Sequence, residues 1–353
     1  VIDDQPIREF IEGQAMRRES TQTRAFSDWT TSAFSFVGAF ALLLALALLA
    51  ASSSQGQSDS GATPSATNAS PKPAQVMPHC KTFSSPQEAA DALYKAAHDN
   101  DESGILVILG PAAKDIVMWT DDPAQRKSET EMFVKKYDEM HRFVREPDNE
   151  TTLYVGAENW PLPVPLVHRS GVWYFDADLG RREILYRRIG QNEMETMDTL
   201  RAIVDAQNDH YSRDLGASGD HEFARKFNCS EGTHDGLYWP TSGPDDPSPA
   251  GPLVARASDD ASDRAPFRGY YFRILTAQGP SARGGARSYV VDGKMTGGFA
   301  ILAFPAEFRA SGVKTFIVSQ DGVIYEKSLG PATPKLAPAI STFNPDSSWS
   351  KVQ

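Results

Sequence analysis

GGFAILAFPAEFRASGVKTFIVSQDGVIYEKSLG, residues 297–330, is the stretch on which the fold class turns. It holds three apolar, β-branched and aromatic runs: Phe299–Phe304, Val313–Ser319 and Val323–Lys327. Such residues favour strands. The last two runs flank Gln320-Asp321-Gly322, and Asp-Gly is a strong hairpin signal because both residues tolerate positive φ. Upstream, Gly269–Leu275 reads as a fourth strand, and residues 228–266, rich in Gly, Pro, Ser and Asp, read mostly as loop. Before that loop stands QNEMETMDTLRAIVDAQNDHYSRD, residues 191–214. Met194, Met197, Leu200, Val204, Gln207 and Tyr211 step by three or four, which is helical periodicity. Glu193, Glu195, Asp198, Arg201, Asp205 and Asp209 fall mostly on other faces. A short helical piece over Glu222–Phe227 follows. Residues 190–345 are therefore expected to form one α+β unit, a helix packed on an antiparallel sheet.

A second α+β unit is expected over residues 80–189. Ser85-Pro86-Gln87-Glu88 has the residues of a helix N-terminus with a capping box, and Ala89, Leu93 and Ala97 give it a narrow buried stripe. Ile105–Leu109 suggests a short second helix. A third is expected over 124–145, with Phe133, Tyr137, Met140 and Val144 inward. Strands follow at 151–155, 162–169 and 172–176, with Arg169-Ser170-Gly171 as a hairpin turn. Pro161, Pro163 and Pro165 point to an edge position for the middle strand. By fold analogy this helices-plus-meander order looks like a cystatin-type unit.

The N-terminal quarter has a different character. Residues 33–51 carry no charge and follow Arg17, Arg18 and Arg24. A basic stretch before an apolar run is the layout of a signal peptide, and about 20 apolar residues also suffice for a membrane anchor. Either reading for 1–51 places the rest outside the cytoplasm, in the periplasm or on the outer face of the inner membrane. Residues 52–79, dominated by Ser, Ala, Pro and Gly, read as a disordered linker. The 353-residue chain carries a formal charge of −11, which argues against a nucleic-acid partner, since phosphate contacts need a basic surface. Two cysteines, Cys80 and Cys229, exclude a disulfide-dense scaffold and a four-cysteine metal site. An oxidising compartment permits them to bridge, and two free thiols fit equally well.

GLYWP (236–240), RGYYFRILTAQGP (268–280), NWPLPVPLVHRSGVWYFD (159–176) and the opening stretch together resemble an exported bacterial family, domain of unknown function 2950, over about residues 80–350. That resemblance implies an envelope-associated protein and supplies no catalytic residues. The order of helix, loop, GYYFRI strand, GFAILAFP strand and KTFIVSQDGVIYEK hairpin also resembles the globular end of type IV pilins and pseudopilins.

Chemistry is hard to find. The histidines, His79, His98, His141, His168, His210, His221 and His234, show no H-x-x-x-H spacing. No G-x-S-x-G elbow or phosphate-binding loop occurs. No catalytic residue, metal site or cofactor is expected. Asp99 with Asp101, and Asp176 with Asp178, are close carboxylate pairs, but each sits where a turn would use it. The most suggestive segment is Thr233–Pro240, which sets His234 and Asp235 beside Tyr238 and Trp239. Aromatic rings with polar tips suit sugar or peptide recognition, and Trp160 is a similar case. The leading expectation is a non-enzymatic interaction or assembly module of the cell envelope. Its partner would be an envelope protein or a glycan, with membrane contact only through the N-terminal segment. The alternative is a periplasmic hydrolase or a glycan-binding or glycan-active enzyme.

Overall fold

The computed structural model describes residues 79–146, 150–215, 219–240, 247–251 and 266–352. The expected signal or anchor segment, and the linker up to residue 78, lie outside them. The described residues divide into two compact units that meet between Leu185 and Tyr186. Both combine helices with antiparallel sheets, an α+β architecture.

The first unit opens with α1, Pro86–His98. Ser85 Oγ accepts the Glu88 N–H at 3.1 Å, and the Glu88 carboxylate reaches back to the Ser84 N–H at 2.9 Å. One orphan donor of the helix, the Glu88 N–H, is thus satisfied, and the Ser84 N–H just ahead of the cap is tied to it. Helix α2, Glu102–Leu109, is capped by Asp101, and a short α3, Lys114–Val117, follows. Helix α4, Pro123–Glu139, begins on the Asp122 cap.

The expected third helix ends earlier than its spacing suggested. Met140 is extended, and residues His141–Arg145 form β1, paired with β2, Glu150–Val155. Phe143 and Val144 suit a strand, and pairing with β2 offers their backbone a better set of partners than a further helical turn. Only Tyr137 of the proposed stripe is buried on α4.

Trp160–Pro161 form the two-residue β3 beside β2, and Leu166–Arg169 form β4. Val172–Phe175 form β5. Strand β4 is not an edge strand: it pairs with β2 on one side and β5 on the other. The prolines stand ahead of its ladder, so their missing N–H groups cost it nothing. Ser170 and Gly171, both at positive φ, make a two-residue hairpin turn between Arg169 and Val172.

Helix α5, Ala177–Ser212, starts 14 residues before the expected Gln191. Asp176 Oδ1 accepts the N–H groups of Asp178 and Leu179, each at 3.1 Å, which fixes the true N-terminus. Gly180 permits the close approach of Val164, whose Cγ2 would lie 2.7 Å from any added Cβ. The helix begins in the first unit and ends in the second.

In the second unit β6 (Tyr270–Leu275), β9 (Ala300–Pro305), β10 (Thr315–Ser319), β11 (Ile324–Lys327) and β12 (Ser350–Lys351) form one antiparallel sheet. Their order is β12-β11-β10-β9-β6, and a small pair, β7 (Ala277–Gln278) and β8 (Arg287–Ser288), stands apart. The four expected strands are all present. Every residue of β9 and β10 is buried, on both faces.

One face meets α5 through Tyr270, and the other is covered by the segment beyond β11. There Phe343 meets Tyr325 ring to ring, Trp349 lies by Lys327, and the Arg273 guanidinium donates to Pro338 O and Ile340 O. Residues 222–227 are not helical. Their backbone pairs instead with Met295 O and with the Gln207 carboxamide, which both donates to Ala224 O and accepts from Ala224 N.

The buried stripe of α5 is rotated from the expected one. Leu200, Ile203, Val204 and Ala206 are inside as apolar residues. So are Glu193, Thr196, Gln207 and His210, while Tyr211 is 37% exposed. The polar members Glu193, Gln207 and His210 each take up backbone groups from segments packed against the helix.

Candidate functional site

Residues 226–240 form a closed turn in the second unit. Tyr238 N donates to Phe227 O at 2.8 Å, and Cys229 N donates to Tyr238 O at 2.9 Å. Asp235 sits at its centre. One carboxylate oxygen accepts from the Ser230 N–H at 2.8 Å and the Thr233 hydroxyl at 2.7 Å. The other accepts from the Ser230 hydroxyl at 3.1 Å and the Lys226 ammonium at 2.6 Å. Burial raises the Asp235 carboxyl, but Lys226, Ser230 and Thr233 outweigh it and hold the group well below the usual carboxylate range. That is the electrostatics of a structural anion, not of a proton donor near neutrality.

His234 stacks on Trp239, with ring centroids 4.1 Å apart and 24° between planes. Trp239 is only 5% exposed, so its ring fills the core rather than offering a platform. Tyr238 is half-buried against the same core. Beneath the turn, His210 lies with Nδ1 2.9 Å from Glu222 O and Nε2 2.9 Å from His234 O. This residue, missed as a contributor from sequence, pins the turn to α5. Its place in the series Leu200, Ile203, Gln207, His210, which steps by three or four, is the signal that marks it.

The other candidates lie elsewhere. Trp160 belongs to the first unit, where it packs against Ala90, Tyr137, Leu153 and Val155. Cys80 and Cys229 are both free thiols. Cys80 Sγ faces Phe175 O at 3.7 Å, and Cys229 Sγ accepts the Gly236 N–H at 3.1 Å. Burial pushes both thiols up. Asp101 and Asp176 are helix caps, and Asp99 pairs with Lys95 and His98.

Among the described residues, two surface grooves of about 400 and about 380 Å³ stand out. The first is lined by His98, Glu131 and Asp138, the second by Lys327, Asp346 and Trp349. Neither includes residues 233–240. Among the described residues no grouping of His, Cys, Asp and Glu suits a metal ion, and no helix is long and apolar enough to cross a membrane.

The segments that resembled a family now have places in the fold: GYYFRI in β6, GFAILAFP in β9, TFIVS and IYEK in the β10–β11 hairpin, GLYWP in the Asp235 turn. A family profile matches across all of them, over residues 80–352. The chain belongs to DUF2950, a family of proteins of unknown function. The DUF2950 match takes in both units. No curated protein and no solved structure matches the chain.

Within this DUF2950 fold, the Asp235 network gives a direct expectation. Asp235→Ala should lower stability by about 1–2 kcal/mol, since several hydrogen bonds go but the side chain is 46% exposed. A carboxyl depressed by folding contributes stability above its unfolded pKa and loses it as pH falls below about 4. The mutational cost should therefore shrink on acidification, as read by thermal unfolding at several pH values. A cost unchanged by acid would show that the charge on Asp235 does not hold the turn.

Proposed function

We propose that this chain is an exported, non-enzymatic interaction or assembly module of the cell envelope. The observation that carries the reading is the employment of its most reactive-looking residues. Asp235 is saturated by four donors, Trp239 is buried, and His234 offers its carbonyl to His210 and its ring to Trp239. These groups have structural work in the turn, and that supports an architectural rather than a catalytic use of Asp235, Trp239 and His234. Export is supported by the uncharged run 33–51 behind three arginines.

Two measurements test this reading. A reporter that is active only in the cytoplasm, fused after residue 353, is expected to be silent; activity there would sink the export reading. Replacing His234 by Ala and Asp235 by Asn together should reduce any cellular phenotype only as far as folded protein is lost. Lost phenotype at undiminished folded level would make the turn a functional site, for binding or catalysis, rather than an architectural one.

A further inference from the structure

Glu193 is the most buried acid among the described residues, at 1% exposure on the inner stripe of α5. Its Oε1 accepts the N–H groups of Val313 at 2.7 Å and Lys314 at 2.9 Å. The Tyr270 hydroxyl lies 3.4 Å from the same oxygen and donates to Lys314 O at 2.9 Å. One residue earlier, Asn192 Nδ2 donates to Ser311 O at 2.8 Å. Two adjacent helix residues therefore grip residues 311–314, the lead-in to β10. Gly312 makes the grip possible, because a Cβ there would overlap the Tyr270 phenol.

The grip is one-sided. Glu193 Oε2 is buried and has no hydrogen-bond partner. A neutral carboxyl, with the proton on Oε2, bears this at less cost than an ion does. A carboxylate spreads its charge over both oxygens and leaves half of it without a protein donor. The neighbouring charges offset little of that. Lys314 favours the ion, but its ammonium is committed to Glu326, and Glu326 opposes the ion. The pair Arg268–Glu195, at 2.9 Å, is likewise closed on itself. We propose that Glu193 is a proton-operated clasp: while protonated it holds the 311–314 segment on the helix, and when its proton passes to solvent the segment lets go so that water can reach Oε2.

The direction of its titration agrees. Burial, only partly offset by the two N–H groups and Lys314, pushes the Glu193 carboxyl up to about 7. The clasp thus changes state near neutral pH, where an ordinary glutamate, at about 4.3, is long ionised. The 311–314 segment set free is the end of a turn that stays closed by Ser311 N and Glu307 O at 2.9 Å and by Arg309 N and Gly312 O at 2.8 Å, and anchored at its start by Ala306 N and Gly269 O at 2.9 Å.

The test is an NMR titration of the full chain with labelled valine and lysine amides. The amide protons of Val313 and Lys314 are expected to move upfield together as pH rises, with one shared midpoint near neutral, as their bonds to Glu193 are lost. In Glu193→Gln both should be flat. Three results overturn the clasp: a midpoint in the ordinary carboxyl range; a downfield movement, meaning that the bonds tighten around a buried carboxylate; or a titration that persists in Glu193→Gln. If Glu193→Gln fails to fold, the midpoint and direction in the unaltered protein still decide.

Discussion

Leu200→Ala is expected to lower the unfolding free energy of the second unit by about 2–5 kcal/mol. Leu200 is fully buried on α5 and belongs to the cluster with Ile203, Phe272, Ile301 and Phe316. Removing its three outer carbons takes away their transfer free energy and leaves a cavity that the surrounding sheet fills poorly. Both faces of β9 and β10 are covered, so the strands have little room to collapse inward. The loss is a large share of the ~5–15 kcal/mol that stabilises a typical domain. Asp205 lies on the exposed side of the same helix, and Asp205→Ala should stay within about 0.5 kcal/mol. Thermal or denaturant unfolding of the two variants checks the face assignment. An unchanged midpoint for Leu200→Ala, with collapse of Asp205→Ala, would mean that the helix presents another side.

The same helix shows what the sequence could and could not tell. Leu200 and Val204 are legible because apolar residues at helical spacing mark a face that packs inward. Glu193 and His210 occupy positions just as inward, yet a polar side chain is read as outward by default. Their burial depends on backbone N–H and C=O groups more than a hundred or about a dozen residues away, at Val313 and Glu222, and no local pattern announces such partners. The start of α5 was lost for a related reason. Residues 177–190 mix arginines, glutamate and two glycines, and only the Asp176 cap marks the beginning.

In the first unit, 141–145 has both a helical and a strand reading, and pairing with the distant β2 decides it. The candidate site repeats the point. Thr233–Pro240 concentrates unusual residues, but concentration does not separate reactivity from architecture. Asp235 looks catalytic until its four donors are counted.

Glu193 should also write itself into the pH dependence of stability. Its carboxyl is raised from the ordinary glutamate value, about 4.3, up to about 7 by burial, so between those values the folded chain holds a proton that the unfolded chain has released. Stability therefore falls as pH rises through this window. The contribution is fully present below the unfolded pKa and gone above the folded one. A shift of this size, at about 1.4 kcal/mol per unit, corresponds to about 3–4 kcal/mol. Release of the 311–314 segment would cap the loss, since an opened carboxylate is hydrated again. The sign is opposite to that of Asp235, whose contribution disappears in acid, so the two groups together favour a maximum on the mildly acidic side. Denaturant unfolding of the wild type from about pH 5 to about pH 8 should show the decline. Glu193→Gln, which keeps an acceptor for the Val313 and Lys314 N–H groups and cannot ionise, should remove that slope while leaving the acid-side loss in place. If the variant declines with pH as steeply as the wild type, the proton lost in that range belongs to another group, and the cost of charging Glu193 is met inside the folded protein.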